Sequence, residues 1–210
     1  MIRNNKGTLI ISSLLILLPI LIGILLWNQL PESIATHWGL DGEADGWSSR
    51  TFAVVMLPLI MFMVHWLCVL VTVADPKRKN IEGKPFGMVL WICPLISLMA
   101  GTTIYATALG AELNINLFLP IIMGIMFVVI GNYLPKCKPN YTVGIKVPWT
   151  LNDEENWNHT HRFAGKVWVV GGLVVIATAF LEQPFIFLVF LLIMAVIPML
   201  YSYLYYRKHQ

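Results

Sequence analysis

Charged side chains are scarce in this chain. Only 12% of its 210 residues are Asp, Glu, Lys or Arg, whereas 58% are hydrophobic. A soluble domain carries about 25% charged residues, so this composition favours a membrane protein over an ordinary soluble one. The basic residues form no patch long enough to follow a nucleic-acid backbone, and direct nucleic-acid binding is not predicted.

Cysteine is also scarce, with three residues and no CxxC spacing. Cys68 and Cys93 lie in apolar segments, and Cys137 lies in a loop. An odd number of isolated cysteines provides neither a disulfide framework nor a zinc knuckle. We expect no bound cofactor.

Long apolar runs are what the chain has instead. A helix needs about 20 mostly apolar residues to cross a bilayer core. Six segments meet this requirement: Thr8–Asn28, Phe52–Ala74, Gly87–Leu109, Leu117–Leu134, Phe163–Phe180 and Pro184–Tyr206. We predict an all-α polytopic membrane protein with six transmembrane helices in one domain, residues 1–210. The first run resembles a signal peptide, but its length and the lack of a cleavage site predict an uncleaved helix.

Basic residues alternate regularly between the loops of the predicted helices. With the N-terminus inside, 13 of the 14 Lys and Arg residues lie on the cytoplasmic side and only Arg50 lies outside. An excess of Lys and Arg marks cytoplasmic loops. We therefore predict cytoplasmic N- and C-termini, an extracellular loop over residues 29–51 (the first loop) and a cytoplasmic loop over residues 135–162 (the signature loop).

The first loop is rich in acids and glycines. Its candidate extracellular ligand residues are His37, Asp41, Glu43 and Asp45. The spacing of the three acids resembles the start of a calcium-binding EF-hand, but Phe52 occupies the twelfth position, where that motif needs a bidentate Glu. A looser divalent-cation site, a solvated acidic turn and a docking surface for a cationic ligand remain open.

The signature loop gathers polar and aromatic residues. Its candidate partner-binding residues are Asn140, Lys146, Trp149, Thr150, Trp157, His161 and Arg162. Pro148 keeps the residue before it extended, and Thr150 or Asn152 then has the character of a helix N-cap, followed by acids in the first turn. The helix should bring Trp157 against His161, four residues on, and continue into the fifth span.

Three interpretations of the signature loop compete. His161 or His159 is placed for general-base catalysis beside a carboxylate, although no nucleophile or HExxH motif lies nearby. Trp149 and Trp157 are of the residue type that anchors protein interfaces. The third interpretation is structural, with the aromatic residues filling the cytoplasmic mouth of the bundle.

His65 lies near the middle of the second span, with Cys68 one turn further on. Ionisable groups at that depth are costly and often functional. A proton- or ligand-linked role and a neutral imidazole bonded to a neighbouring helix are both open.

Two stretches together resemble a known family. LPESIATHWGLDGEADGW resembles the short N-terminal domain of unknown function that accompanies SdpI-type membrane proteins, and GNYLPKCKPNYTVGIKVPWTLNDEENWNHTHRFAGK resembles the signature of the SdpI family. The matching positions are Gly131, Asn132, Asn140, Gly144, Ile145, Pro148, Trp149, Thr150, Leu151, Trp157, Thr160, His161, Arg162 and Gly165. Lys146 stands where the family usually has Arg, which keeps the charge but loses bidentate pairing.

The resemblance implies a multi-pass protein of the bacterial cytoplasmic membrane, in contact with lipid. It implies immunity to a secreted toxic peptide, and signal transduction by sequestering a cytoplasmic transcriptional repressor. On this basis we predict repressor docking at Trp149, Trp157 and Arg162. Toxin contact is predicted at His37, Asp41 and Asp45.

Two further hypotheses remain beside immunity. The first is a membrane enzyme or transporter that acts on a lipid-linked or small anionic substrate. The residues that would bind its anionic group are Lys146, Thr150, His161 and Arg162. The second is a general envelope-stress protein with no single ligand.

Overall fold

The computed structural model of the protein describes residues 1–181 and 183–209. Six helices in this part of the chain are long and apolar enough to cross a membrane, which confirms the predicted multi-pass membrane fold. In chain order the helices are α1 (Lys6–Leu25), α2 (Leu57–Ala74), α3 (Lys84–Ala108), α4 (Ile115–Tyr133), α5 (Pro148–Leu151), α6 (Glu154–Ala179) and α7 (Pro184–Lys208). The short α5 lies in the signature loop.

The predicted and observed helices differ most at the start of α6. This helix begins at Glu154, nine residues before the predicted start of the fifth span at Phe163. The prediction that the signature-loop helix continues into this span is confirmed. The predicted cap residues were wrong: Asp153 caps the helix, and its side chain accepts hydrogen bonds from the backbone N–H groups of Glu155 and Asn156. An extended residue with a carboxylate can satisfy both of these free donors.

The first loop folds into an antiparallel hairpin that the sequence analysis did not predict. Strand β1 (Ser33–Trp38) pairs with β2 (Ala44–Ser49), with Ser33 opposite Ser49. The register is interrupted around His37. At the turn, Asp41 Oδ1 accepts a hydrogen bond of 3.0 Å from the backbone N–H of Glu43, a local bond of the kind that favours Asp in turns.

The chain divides into two compact units, and the first comprises residues 1–70 and 87–115. It contains the hairpin, whose Ile34 is buried in a cluster with Leu30, Val54, Ile104 and Tyr105. Alternation along β1 makes this possible, because one face of the strand points to the cluster while the other stays in solvent. The hairpin is therefore fixed to the helices by its apolar face.

The second unit comprises residues 71–86 and 116–210 and contains the signature loop. Its helices α4 and α6 approach closely at two levels, where Gly124 lies against Gly172 and Gly131 lies against Gly165. Small residues let helix backbones come together in membranes. From α6, the Trp168 indole N–H donates a hydrogen bond of 2.9 Å to a backbone carbonyl of α7. This packing positions the signature loop at the end of α4, α6 and α7.

Candidate functional site

Asn140 organises the first half of the signature loop. Its side-chain oxygen accepts hydrogen bonds from the backbone N–H groups of Thr142 (2.9 Å) and Val143 (2.6 Å). Its amide nitrogen donates to the carbonyls of Lys138 (2.8 Å) and Val143 (2.9 Å). These four bonds use the full capacity of an amide side chain. Asn140 is 1% exposed and therefore has no free group for a partner.

Trp157 and His161 hold the middle of the loop from α6. Their rings are stacked at a centroid distance of 4.0 Å, which confirms the predicted contact. The indole N–H of Trp157 donates a hydrogen bond of 2.7 Å to the carbonyl of Cys137. His161 Nε2 accepts a bond of 3.0 Å from the backbone N–H of Ile145. Trp157 thus binds the loop at Cys137, and His161 binds it at Ile145.

The hydrogen bonds of His161 also fix its tautomer. Because Nε2 accepts from a backbone N–H, the ring proton must lie on Nδ1, which is 2.8 Å from the carbonyl oxygen of Trp157. The imidazole is neutral and both nitrogens are engaged. No nitrogen is left to take a proton from a substrate, so this geometry gives no support to His161 as a general base.

Gly144 is required where the loop passes His161. Its φ angle is +116°, a conformation that a side chain disfavours. A Cβ atom at this position would also run into the His161 ring. The residue therefore serves a close approach of backbone and imidazole.

Thr150 closes the second half of the loop around α5. Its hydroxyl donates a hydrogen bond of 2.8 Å to the carbonyl of Ile145 and accepts one of 3.1 Å from the backbone N–H of Val147. The residue is fully buried. Thr150 is thus not the cap of α6, and its hydroxyl bonds to its own loop.

Asp75, which the sequence analysis did not single out, ties the loop after α2 to the signature loop. Its Oδ2 atom accepts hydrogen bonds from the backbone N–H of Tyr141 (2.9 Å) and the hydroxyl of Thr142 (2.7 Å). Nearby, the Asn80 amide donates a bond of 2.7 Å to the carbonyl of Pro139. An Asp among lysines at a helix end is typical of a solvated loop, so the sequence alone gave no signal for this role.

A second set of polar contacts that sequence reasoning missed joins α6 to α7. The buried Asn156 donates from its amide nitrogen to the carbonyl of Ser202 at 3.1 Å, and its oxygen accepts from the hydroxyls of Ser202 (3.0 Å) and Thr160 (2.9 Å). Fully bonded polar groups of this kind specify one packing of two helices. The start of α6 is thereby fixed beneath the signature loop.

The seven predicted partner-binding residues fall into two sets. Asn140, Thr150, Trp157 and His161 are at most 1% exposed. We call these four residues the loop frame. A buried side chain cannot touch a second protein, so the loop frame shapes the loop. The prediction of a docking surface then rests on Lys146, Trp149 and Arg162, which are fully or partly exposed.

The predicted ligand residues of the first loop lie on the hairpin surface. His37, Asp41, Glu43 and Asp45 are exposed, and His37 Nδ1 lies 2.5 Å from Asp45 Oδ1. In residues 1–181 and 183–209, no group of three His, Cys, Asp or Glu side chains is placed to hold a metal ion. The structure gathers the acids on one hairpin without forming a cation cage.

Arg50, the basic residue of the hairpin, is bound internally. Its guanidinium donates hydrogen bonds to the backbone carbonyls of Pro31 and Trp27, both at 3.1 Å, and lies over the Trp27 ring. This cation is therefore not free to neutralise the acids. The hairpin therefore exposes Asp41 and Glu43 without a basic side chain from Arg50 beside them.

His65 is completely buried in the first unit. Its Nε2 lies 3.3 Å from the hydroxyl oxygen of Ser12 on α1, and that hydroxyl also donates to the carbonyl of Leu9. With its proton directed to Leu9, the Ser12 oxygen is free to accept from His65. This matches the open interpretation of a neutral imidazole bonded to a neighbouring helix.

Comparisons with known proteins match both the hairpin and the signature loop. Residues 136–202 match the SdpI/YfhL protein family, and residues 14–62 match a domain of unknown function, DUF1648. The "Immunity protein SdpI" of Bacillus subtilis (strain 168) is 29% identical over 206 residues, which cover 95% of this chain and 96% of the relative. No solved structure gives a significant match. The two matched regions include the hairpin and the whole of the loop frame, and they confirm the predicted resemblance of this chain to the SdpI family.

Proposed function

We propose that this chain is a membrane immunity protein that protects its cell from a secreted toxic peptide. The observation that carries the proposal is the similarity to the immunity protein of Bacillus subtilis, which extends over nearly the full length of both chains. Similarity of this extent includes the six spans, the hairpin and the signature loop, so it is not limited to a shared module.

The hairpin is the proposed contact site for the toxin. Its exposed acids Asp41, Glu43 and Asp45 attract a cationic peptide, since opposite surface charges speed encounter and fix orientation. The exposed Trp47, 59% accessible, adds an aromatic anchor beside the acids. This chemistry favours a cationic toxin with an apolar side.

The signature loop is the proposed docking site for a cytoplasmic repressor. The loop frame holds the backbone in one conformation, so Lys146, Trp149 and Arg162 are presented without an ordering cost at binding. Sequestration at the membrane then removes the repressor from its DNA. The mechanism needs no catalysis.

The distribution of basic residues supports the proposed sidedness of the chain. In the proposed topology, 13 of 14 Lys and Arg lie on the cytoplasmic side, with the hairpin outside. Reporter fusions or thiol labelling at Ser49→Cys and Lys146→Cys test this topology. Labelling of the position-49 thiol from outside intact cells and protection of the position-146 thiol are expected, and the reverse pattern would contradict the assignment.

Survival of a sensitive bacterium tests the proposed immunity. Cells that produce the chain are challenged with a panel of secreted membrane-active peptides, beside a hairpin variant with Asp41→Asn, Glu43→Gln and Asp45→Asn. We expect protection by the parent chain against at least one peptide and weaker protection by the hairpin variant. Glu112→Gln, which removes another exposed acid, is the matched control and should protect fully.

The outcomes of this assay separate the parts of the proposal. Equal protection by parent and hairpin variant would remove the hairpin as contact site and leave immunity to the bundle. No protection against any peptide, at normal membrane levels, would reject immunity and move attention to the enzyme or transporter hypothesis. Recruitment is tested with fluorescent fusions of candidate cytoplasmic repressors, with and without the toxin. One of these fusions should move to the membrane with toxin and fail to do so with Trp149→Ala and Arg162→Ala together.

A further inference from the structure

A small pocket opens beside Trp149 in the second unit. It has a volume of about 260 Å³ and is lined by Pro148, Trp149, Asn152, Asp153, Tyr206 and His209. Pockets for whole small molecules have about 300–1,000 Å³. A volume below this range fits one side chain of a partner better than a free metabolite.

Aromatic rings form one wall of the pocket. Trp149 lies edge-on to Tyr203 at 5.4 Å and is stacked on Tyr206 at 6.2 Å with an interplanar angle of 28°. These contacts pack the indole against α7. The π face of a Trp attracts a cation more strongly than that of any other side chain.

A carboxylate completes the pocket. Asp153 uses Oδ1 to cap α6, and its Oδ2 accepts no hydrogen bond from residues 1–181 and 183–209. The adjacent Glu154 and Glu155 are exposed in the same turn. An aromatic face with a carboxylate beside it is complementary to the guanidinium of Arg or the ammonium of Lys.

The indole N–H of Trp149 is a third observation. In the part of the chain that the structure describes, this buried donor has no hydrogen-bond partner. An unsatisfied buried donor costs about 1–3 kcal/mol. A ligand with a backbone carbonyl next to its basic side chain supplies the missing acceptor through a small turn of the ring.

We propose that this pocket binds a basic side chain of a cytoplasmic partner protein. The cation lies against Trp149 and Tyr206 and pairs with Asp153, while a main-chain carbonyl of the same segment accepts from the indole N–H. The proposal deepens the docking role of the signature loop and rests on it. It assigns the loop a ligand chemistry, namely an exposed Arg or Lys in an extended segment.

The chain is tested whole, in nanodiscs of neutral phosphatidylcholine, with its tryptophan indoles labelled with ¹⁵N. The probe is N-acetyl-arginine amide, and N-acetyl-citrulline amide is the neutral control of the same shape. The Trp149 indole signal is assigned by its loss in Trp149→Phe. We expect a saturable downfield shift of this signal with the arginine probe, and none with the citrulline probe.

Two matched variants test how much the Asp153 carboxylate contributes to the affinity for the arginine probe. Asp153→Asn keeps the helix cap, since Asn and Asp cap equally well, and should weaken binding about two- to fivefold through the lost ion pair. Glu154→Gln removes a neighbouring acid that does not line the pocket and should leave the affinity nearly unchanged. Unshifted indole signals of the other tryptophans confirm that both variants are folded.

Three results would overturn the proposal: an equal response to citrulline, a shift that does not saturate, or full affinity in Asp153→Asn. None of these depends on immunity. Protection in the survival assay without arginine binding would leave the proposed function standing and remove the pocket. Arginine binding without protection would reject the proposed immunity and leave the pocket standing.

Discussion

The hairpin and the signature loop hold their shapes by different means. The hairpin is fixed by a ladder of backbone hydrogen bonds and by one buried face, so most of its polar side chains stay in solvent. The signature loop has no ladder, and its backbone is bonded mainly by buried side chains. The polar residues that look functional are therefore free in one region and structural in the other.

The largest difference is expected between two tryptophans. Trp157→Ala leaves a cavity and an unpaired Cys137 carbonyl, and should lower the free energy of unfolding by about 3–5 kcal/mol. Trp47→Ala, on the exposed hairpin face, should change it by less than about 0.5 kcal/mol. Thermal unfolding in detergent micelles measures both. Similar losses for the two variants would erase the contrast between the regions.

Thiol labelling at Cys137 tests whether the loop stays closed. The thiol is 3% exposed, and burial raises its pKa to about 11, so it stays protonated and unreactive at neutral pH. With Cys68→Ala and Cys93→Ala as background, its maleimide reaction should be at least about a hundredfold slower than that of an exposed thiol.

The matched exposed thiol is Lys138→Cys combined with Cys137→Ala. Lys138 is the neighbouring residue and is exposed, so the two thiols are adjacent in the chain and differ in burial. Since the raised pKa keeps Cys137 protonated well above neutral pH, its rate should keep rising as pH is raised from 7 to 10. Equal rates for the two thiols at pH 7 would mean that the loop opens readily.

Glycine substitutions separate backbone strain from side-chain clash. Gly144→Ala combines an unfavourable φ with contact against His161 and should cost about 2–4 kcal/mol. Gly83 has a φ of +86° but open space around it, so Gly83→Ala should cost only about 1–2 kcal/mol. The difference between the melting temperatures of the two variants measures the cost of the contact with His161. Equal melting temperatures would show that the His161 ring moves aside.

Two aspartates provide the last comparison of a buried contact with an exposed one. In the parent chain, Asp75 Oδ1 accepts a hydrogen bond of 2.7 Å from the backbone N–H of Lys77, and Oδ2 accepts from Tyr141 and Thr142. In Asp75→Asn one of these oxygens becomes an NH₂ group, which cannot accept, so a donor on one side loses its partner. A loss of about 1–3 kcal/mol should follow. Asp45→Asn removes only the charge from an exposed contact with His37 and should cost below about 1 kcal/mol. Chemical unfolding with both variants in parallel decides whether buried and exposed acids differ as described.

The sequence predicted the helices because a span is a local property. Some twenty consecutive apolar residues leave no alternative to helix in lipid, and this holds without knowledge of any neighbour. The hairpin was missed because its strands are short, polar and half exposed. Its only strong signal is the burial of Ile34 and its partners, and that burial depends on residues of α3 far along the chain.

Within the site, helical spacing predicted the contact of Trp157 with His161 but not which side of α6 faces the loop. Trp149 and Trp157 are the same residue type eight positions apart. Only tertiary packing places Trp149 in the wall of a pocket and buries Trp157 against the loop. The role of Asp75 joins residues 66 and 67 positions apart. No single-sequence pattern encodes such a pair.

The hydrogen bonds between Asp75 and the signature loop have a consequence for where a partner would bind. The tied segment continues with Lys77, Arg78 and Lys79, and the Lys77 ammonium already lies over the Tyr141 ring. Anionic lipid headgroups attract such basic clusters at about 1 kcal/mol per residue. We therefore expect the signature loop to lie close to anionic headgroups. We also expect a partner with its own basic segment to bind the headgroups and the loop together, so that lipid composition would affect its recruitment.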